Sequence, residues 1–177
     1  MELNDILKNK ELKAMDKRKQ VVKYIVENQY TCNALNLNLS ANSDKEIAIV
    51  LEALEEITNQ SAEKLDVSYL AFAEKYLSSS NNSCKREAAR ILGNLAVYYP
   101  SEIQHAIPLL IVNTKDESTV IRWSSAYALS RIVEIETIAK TNLFQELEII
   151  CQLEKENGVR NQYVKSLKKA SKIRRNL

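Results

Sequence analysis

Glycine and proline are nearly missing from this chain: two of each in 177 residues, about 2% where roughly 12% is usual. Hairpins and βα connections draw on glycine for backbone at φ > 0. Sandwiches, barrels and doubly wound sheets are therefore excluded, and the predicted class is all-α. Two glycines also leave no P-loop and no G-x-G-x-x-G fingerprint. His105 is the single histidine, which removes zinc hydrolases, H-E-x-x-H proteases and other sites built on two imidazoles. Cys32, Cys84 and Cys151 are scattered, with no C-x-x-C pair; they read as buried free thiols in a reducing compartment. No stretch approaches the about 18 apolar residues of a membrane span. The polar segment from Met1 to Lys10 lacks the apolar core of a secretory signal, so a cytoplasmic location is expected.

What is present is a repeat. Hydrophobic residues make up 45% and charged residues 27%, enough for a core and too apolar for a disordered chain. Three stretches align: Cys84-Lys-Arg-Glu-Ala-Ala-Arg-Ile-Leu-Gly-Asn-Leu95, Ile121-Arg-Trp-Ser-Ser-Ala-Tyr-Ala-Leu-Ser-Arg-Ile132 and Val159-Arg-Asn-Gln-Tyr-Val-Lys-Ser-Leu-Lys-Lys-Ala170. Each opens with a small apolar residue and a base, and each has leucine in ninth place. Those leucines, Leu92, Leu129 and Leu167, are 37 and 38 residues apart. A weaker copy lies at Ile47 to Ile57, around Leu54. Each copy follows another apolar helical segment: Val67 to Leu77, Glu102 to Val112, Leu143 to Leu153, and a weaker one at Cys32 to Leu39. The polar links between them, Ser78 to Ser83, Asn113 to Thr119 and Glu154 to Gly158, suit antiparallel helical hairpins with Asn, Asp or Ser as N-caps. Gly158 is expected to cap the end of the preceding helix. Two helices per ~38 residues predict an α-solenoid.

The apolar-basic-x-x-small-small pattern of the second helix, with Pro108 inside a first helix, resembles HEAT repeats over residues 42–177. Armadillo-type arrays are the near alternative. The resemblance implies a right-handed α-solenoid of three to four helical hairpins. One domain is expected over 1–177: a helical cap at 1–30, a degenerate repeat at 31–60, and repeats at 61–98, 99–135 and 136–177. In the cap, Leu3, Ile6 and Leu7 suggest one short helix, and Val21, Val22, Ile25 and Val26 the stripe of another.

HEAT-type second helices line the concave side, and i, i+4, i+8 spacing gives the row expected to be exposed there. It reads Ala48, Glu52, Glu56; Arg86, Arg90, Asn94; Trp123, Tyr127, Arg131; Asn161, Lys165, Lys169. Arg86, Arg90, Asn94, Trp123, Tyr127, Arg131, Lys165 and Lys169 are the candidate partner-binding residues, Trp, Tyr and Arg being the types enriched at hot spots. A shift of one position in that register would place Trp123 in the core instead. Residues 158–177 carry seven bases and no acid, a charge pattern that suits a solvated end cap or an anion-binding helix. Lys85, Arg122 and Arg160 share one repeat position and resemble the base that ties a HEAT repeat to its neighbour. Neighbouring carboxylates such as Glu55 and Glu56 are expected on solvated faces, and His105 on the surface.

The expected function is a non-catalytic scaffold that binds a protein or peptide on the concave face, with no cofactor and no metal. The alternative is a nucleic-acid binder remotely similar to the HEAT-like DNA-alkylation-repair glycosylases, with Tyr127 where that family's acid would be sought. HEAT-type iron hydroxylases need His-Glu metal pairs that one histidine cannot supply. A lyase of that type has no positive signal in the residues.

Overall fold

The computed structural model describes residues 2–175, and those residues form helices and turns without a strand. Two helices open the chain, α1 (Leu3–Lys8) and α2 (Ala14–Glu27). Hairpins follow: α3 (Cys32–Leu39) with α4 (Asp44–Ser61), α5 (Ser68–Glu74) with α6 (Asn82–Leu95), and α7 (Ile107–Asn113) with α8 (Thr119–Val133). The short helix α9 (Glu136–Ala139) precedes the last pair, α10 (Leu143–Leu153) and α11 (Asn157–Arg175). The long helices start at Asp44, Asn82, Thr119 and Asn157, in step with the repeat of the sequence.

Local chemistry explains two of these starts. Ser43 and Glu46 form a capping box on α4: Ser43 Oγ accepts from the Glu46 N–H at 3.4 Å, and Glu46 Oε2 accepts from the Ser43 N–H at 2.8 Å. Asn81 Oδ1 accepts from the first N–H groups of α6, at 2.9 and 3.2 Å. The predicted helix from Glu102 to Val112 is instead a 3-10 turn, Glu102–Ala106, followed by α7. Pro108 has no N–H to donate and is accommodated in the first turn of a helix that begins at Ile107. The segment from Val67 to Leu77 likewise shrinks to Ser68–Glu74. Gly158 corrects another expectation. It lies in the first turn of α11 and has no positive φ, while α10 ends on the extended backbone of Glu154. The left-handed residue is Gln29 (φ 46), after α2, where the Tyr30 N–H reaches back to the Ile25 carbonyl at 3.0 Å.

The long helices α2, α4, α6, α8 and α11 pack one on the next in chain order, and more closely than the shorter helices α3, α5, α7 and α10 do. A two-layer array whose layers differ in spacing curves toward the tighter one, so the long helices form the inner, concave layer. The segment at 1–30, which lacks the repeat pattern, supplies α2 to that layer. Between the layers one apolar cluster runs from Leu3 to Ala170. Polar staples join successive repeats at its margin. Lys85 on α6 pairs with Asp116 in the next hairpin loop at 2.9 Å, and Arg122 on α8 pairs with Glu154 in the loop after that at 3.0 Å. Arg160, at the same repeat position, bonds to Asn157 in its own helix. The expected tie between repeats is thus present at Lys85 and Arg122.

All three cysteines are free and buried. Desolvation pushes the Cys84 thiol up to about 11, and raises Cys32 and Cys151 as well. Since the thiolate is the reactive form, the native protein at pH 8 is expected to resist Ellman's reagent. The same assay in denaturant should titrate three thiols; rapid native reaction at any of them would contradict the packing.

Candidate functional site

The inner layer divides into two halves of different chemistry. The N-terminal half, from α2 to α6, is a lattice of ion pairs. Arg18 on α2 pairs with Glu56 on α4 at 3.1 Å. Arg86 on α6 bridges Glu52 on α4 at 3.5 Å and Glu87 on its own helix at 2.5 Å. Arg90 does the same with Glu55 at 2.8 Å and Glu87 at 3.0 Å. Glu87 is 2% exposed, so its charge depends on both arginines for compensation. Glu55 is buried too, which corrects its assignment to a solvated face. Desolvation raises its pKa, with Arg90 opposing and the Glu87 carboxylate adding to the rise. Its oxygens face Arg90 and Asn94, at the edge of a cavity of about 350 Å³ that Glu52, Glu87 and Arg86 also line.

Asn94 links the halves. Its amide donates to Thr58 Oγ1 at 3.0 Å and faces Glu55 at 3.5 Å, while its Oδ1 accepts from the Tyr127 hydroxyl at 2.6 Å. Asn94 and Ala48 are both buried, although the helical row placed them in the open. Neighbouring helices cross that row closely enough to cover it. At Gly93 α8 approaches α6 closely: a Cβ there would stand 2.9 Å from the Ala128 Cα and 3.2 Å from the Tyr127 ring.

Beyond Asn94 the surface opens. Trp123 stacks on Tyr127, with ring centroids 5.6 Å apart and planes at 24°, and the Arg131 guanidinium lies over the Tyr127 ring, 4.5 Å from its centroid. Trp123 is half-buried, with its inner edge packed on the core; it belongs to both environments the register left open. Arg131, Lys165 and Lys169 are exposed. Lys169 meets Glu134 at 3.2 Å across α8 and α11, a pair in which the lysine side chain is 67% exposed and hence weak.

Of the candidate partner-binding residues, the structure therefore gathers Trp123, Tyr127, Arg131, Lys165 and Lys169 on one surface. Arg86, Arg90 and Asn94 stand in the same layer but are engaged by neighbouring helices. Sequence reasoning missed Glu87 and Thr58. Glu87 was findable: it falls at i+3 from Cys84 and i−4 from Ile91, inside the apolar stripe of α6. His105 is exposed. Among the described residues no group of three or more His, Cys, Asp or Glu could hold a metal ion, and no helix is long and apolar enough to cross a membrane.

No protein-family model and no curated protein matches the sequence. Solved structures match the fold. An engineered protein superposes with a TM-score of 0.74 at 17% identity, over 97% of this chain and 78% of its own. A designed armadillo repeat protein in complex with the peptide (KR)4 gives 0.69 at 16% identity, over 95% of this chain and 80% of its own. The complex of CpcE and CpcF of phycocyanin lyase from Nostoc sp. gives 0.66 at 16% identity, over 93% of this chain and 96% of that one. The fold is that of an armadillo/HEAT-like helical repeat array.

Proposed function

We propose that this chain is a non-catalytic, cytoplasmic scaffold that holds a protein or peptide partner on its inner layer, through Trp123, Tyr127, Arg131, Lys165 and Lys169. The observation behind this reading is the contrast between the two halves. From α2 to α6 Arg18, Arg86 and Arg90 are engaged by glutamates, whereas on α8 and α11 a half-buried aromatic pair lies beside three exposed cations. Stacked aromatics beside arginine are the groups from which binding hot spots are made. The designed armadillo repeat protein, solved with a peptide, supplies the precedent on this architecture. Nucleic acid is the weaker reading, because Arg86 and Arg90, counted on the sequence as free cations, are neutralised by Glu52, Glu55 and Glu87. The whole is read as one domain with the cap at 1–30 and repeats at 31–60, 61–98, 99–135 and 136–177.

Selection of a random peptide display library on the wild-type protein, with Arg131→Glu as the counter-target, tests the reading. Peptides should be enriched on the wild type, and Trp123→Ala should weaken them by about 1–3 kcal/mol, with circular dichroism confirming the fold. Recovery of the same peptides on both proteins, or of none, would remove this surface from the function.

A further inference from the structure

We infer that the partner segment is acidic, and that it lies across α8 and α11 with its carboxylates on Arg131, Lys165 and Lys169 and an apolar or aromatic side chain on Trp123. This rests on the proposed scaffold reading and specifies its ligand class.

The argument is one of charge left over. In the N-terminal half, Glu52, Glu55, Glu56 and Glu87 stand against Arg18, Arg86 and Arg90, so that cluster has one carboxylate more than it has guanidiniums and its three arginines are already engaged, which disfavours an acidic ligand there. Past Asn94 the balance reverses. Arg131, Lys165 and Lys169 face the open side with Glu134 as their one acidic neighbour in an ion pair. Lys168, between these two lysines on α11, and Lys172 beyond them add the same sign. Lys165 and Lys169 are one helical turn apart, about 6 Å by the rise of an α-helix. Alternate side chains of an extended peptide fall at about 6.6–6.8 Å, so successive carboxylates on one edge of such a segment can meet both ammonium groups. Arg131 sits on the adjacent helix, roughly 8–10 Å away across a helix-helix contact, and Trp123 lies two turns before it on the same helix. The partially exposed indole, already stacked on Tyr127, presents a flat apolar platform beside the cations.

The (KR)4 peptide held by the designed armadillo repeat protein has the opposite sign and serves as the discriminating probe. Dye-labelled octaglutamate with a central phenylalanine, the (KR)4 peptide and a short oligothymidylate would each be titrated against the full chain by anisotropy, at low and moderate salt. The acidic peptide is expected to bind, and to weaken with salt. Lys165→Glu with Lys169→Glu should raise its Kd about tenfold or more. Lys8→Glu with Lys10→Glu, which reverses two exposed charges on the cap, should change it by less than about twofold. Equal binding to both double variants would overturn the inference, as would tighter binding of (KR)4 or oligothymidylate. If the display selection returns neutral or basic peptides that need Trp123, the acidic partner falls while the scaffold reading stands. If it returns none, both fall.

Discussion

Arg90→Met is expected to destabilise the protein by about 3 kcal/mol, near the low end of what unpairing a buried charge costs because the guanidinium side chain is 30% exposed. Methionine keeps the aliphatic packing and removes the charge, leaving Glu55 and Glu87 close together and without their shared cation. Glu87 still has Arg86 at 2.5 Å, and Glu55 retains Asn94 at 3.5 Å, so the network weakens without emptying. Adding Glu55→Gln and Glu87→Gln should recover more than half of the loss, since a buried pair removed together costs far less than one partner removed alone. Urea unfolding followed at 222 nm reads the effect. Additive losses in the triple variant would show that the three groups are energetically separate.

The sign of the pH dependence follows from Glu55. Its folded pKa is raised above the ordinary 4.5, first by burial, so between those values the folded state binds more protons than the unfolded one. Stability from this group is gained as pH falls through the raised value and lost as pH rises through the window. Arg90 opposes the rise in the wild type. Its removal enlarges the window, and the Arg90→Met defect should therefore shrink when unfolding is measured at pH 5 instead of pH 8. A defect independent of pH would mean that Glu55 stays ionised in the variant.

Gly93 carries the second large effect. Glycine within a helix costs about 1 kcal/mol relative to alanine, so Gly93→Ala would stabilise α6 in isolation. In the array its Cβ would meet the Ala128 backbone at 2.9 Å and the Tyr127 ring at 3.2 Å. The backbone contact forces α6 and α8 apart, and overpacking of this kind costs about 1–3 kcal/mol. Gly93→Ala should lose about 1 kcal/mol net, and Gly93→Val, larger and β-branched, about 3 kcal/mol or more. The same shift moves Tyr127 off Asn94 and off Trp123, so native tryptophan emission should change with stability. Gly158→Ala is the matched control: nothing lies within 4 Å of its Cβ, and the substitution should be neutral or gain about 0.5 kcal/mol. If Gly93→Ala proves as harmless as Gly158→Ala, the two helices are farther apart than the structure has them.

The repeat position of Gly93 also explains the last helix. Ser130 on α8 and Lys168 on α11 occupy the equivalent places 37 and 38 residues on. Gly93 and Ser130 are covered by the next long helix; Lys168 is exposed. A small residue stands where a helix must approach, and a long ammonium stands where water does.

Helical class, period and most helix positions could be read from the residues alone, because those depend on neighbours within one or two turns. Scarce glycine, the leucines at 92, 129 and 167, and capping residues such as Ser43 and Asn81 are all local signals. The bases at Lys85 and Arg122 could be read as ties because they recur at the repeat. Which members of the inner row stay free is set instead by the packing of helix on helix. Arg86, Arg90 and Asn94 have the same helical spacing as Trp123, Tyr127 and Arg131, yet the former are taken by Glu52, Glu55, Glu87 and Thr58. Most of those partners lie 34–39 residues away in the chain. Helical periodicity assigns a side chain to a face of its own helix. Whether that face meets water depends on how closely the neighbouring helices pack: α4 covers Arg86, Arg90 and Asn94, and Gly93 lets α8 approach α6.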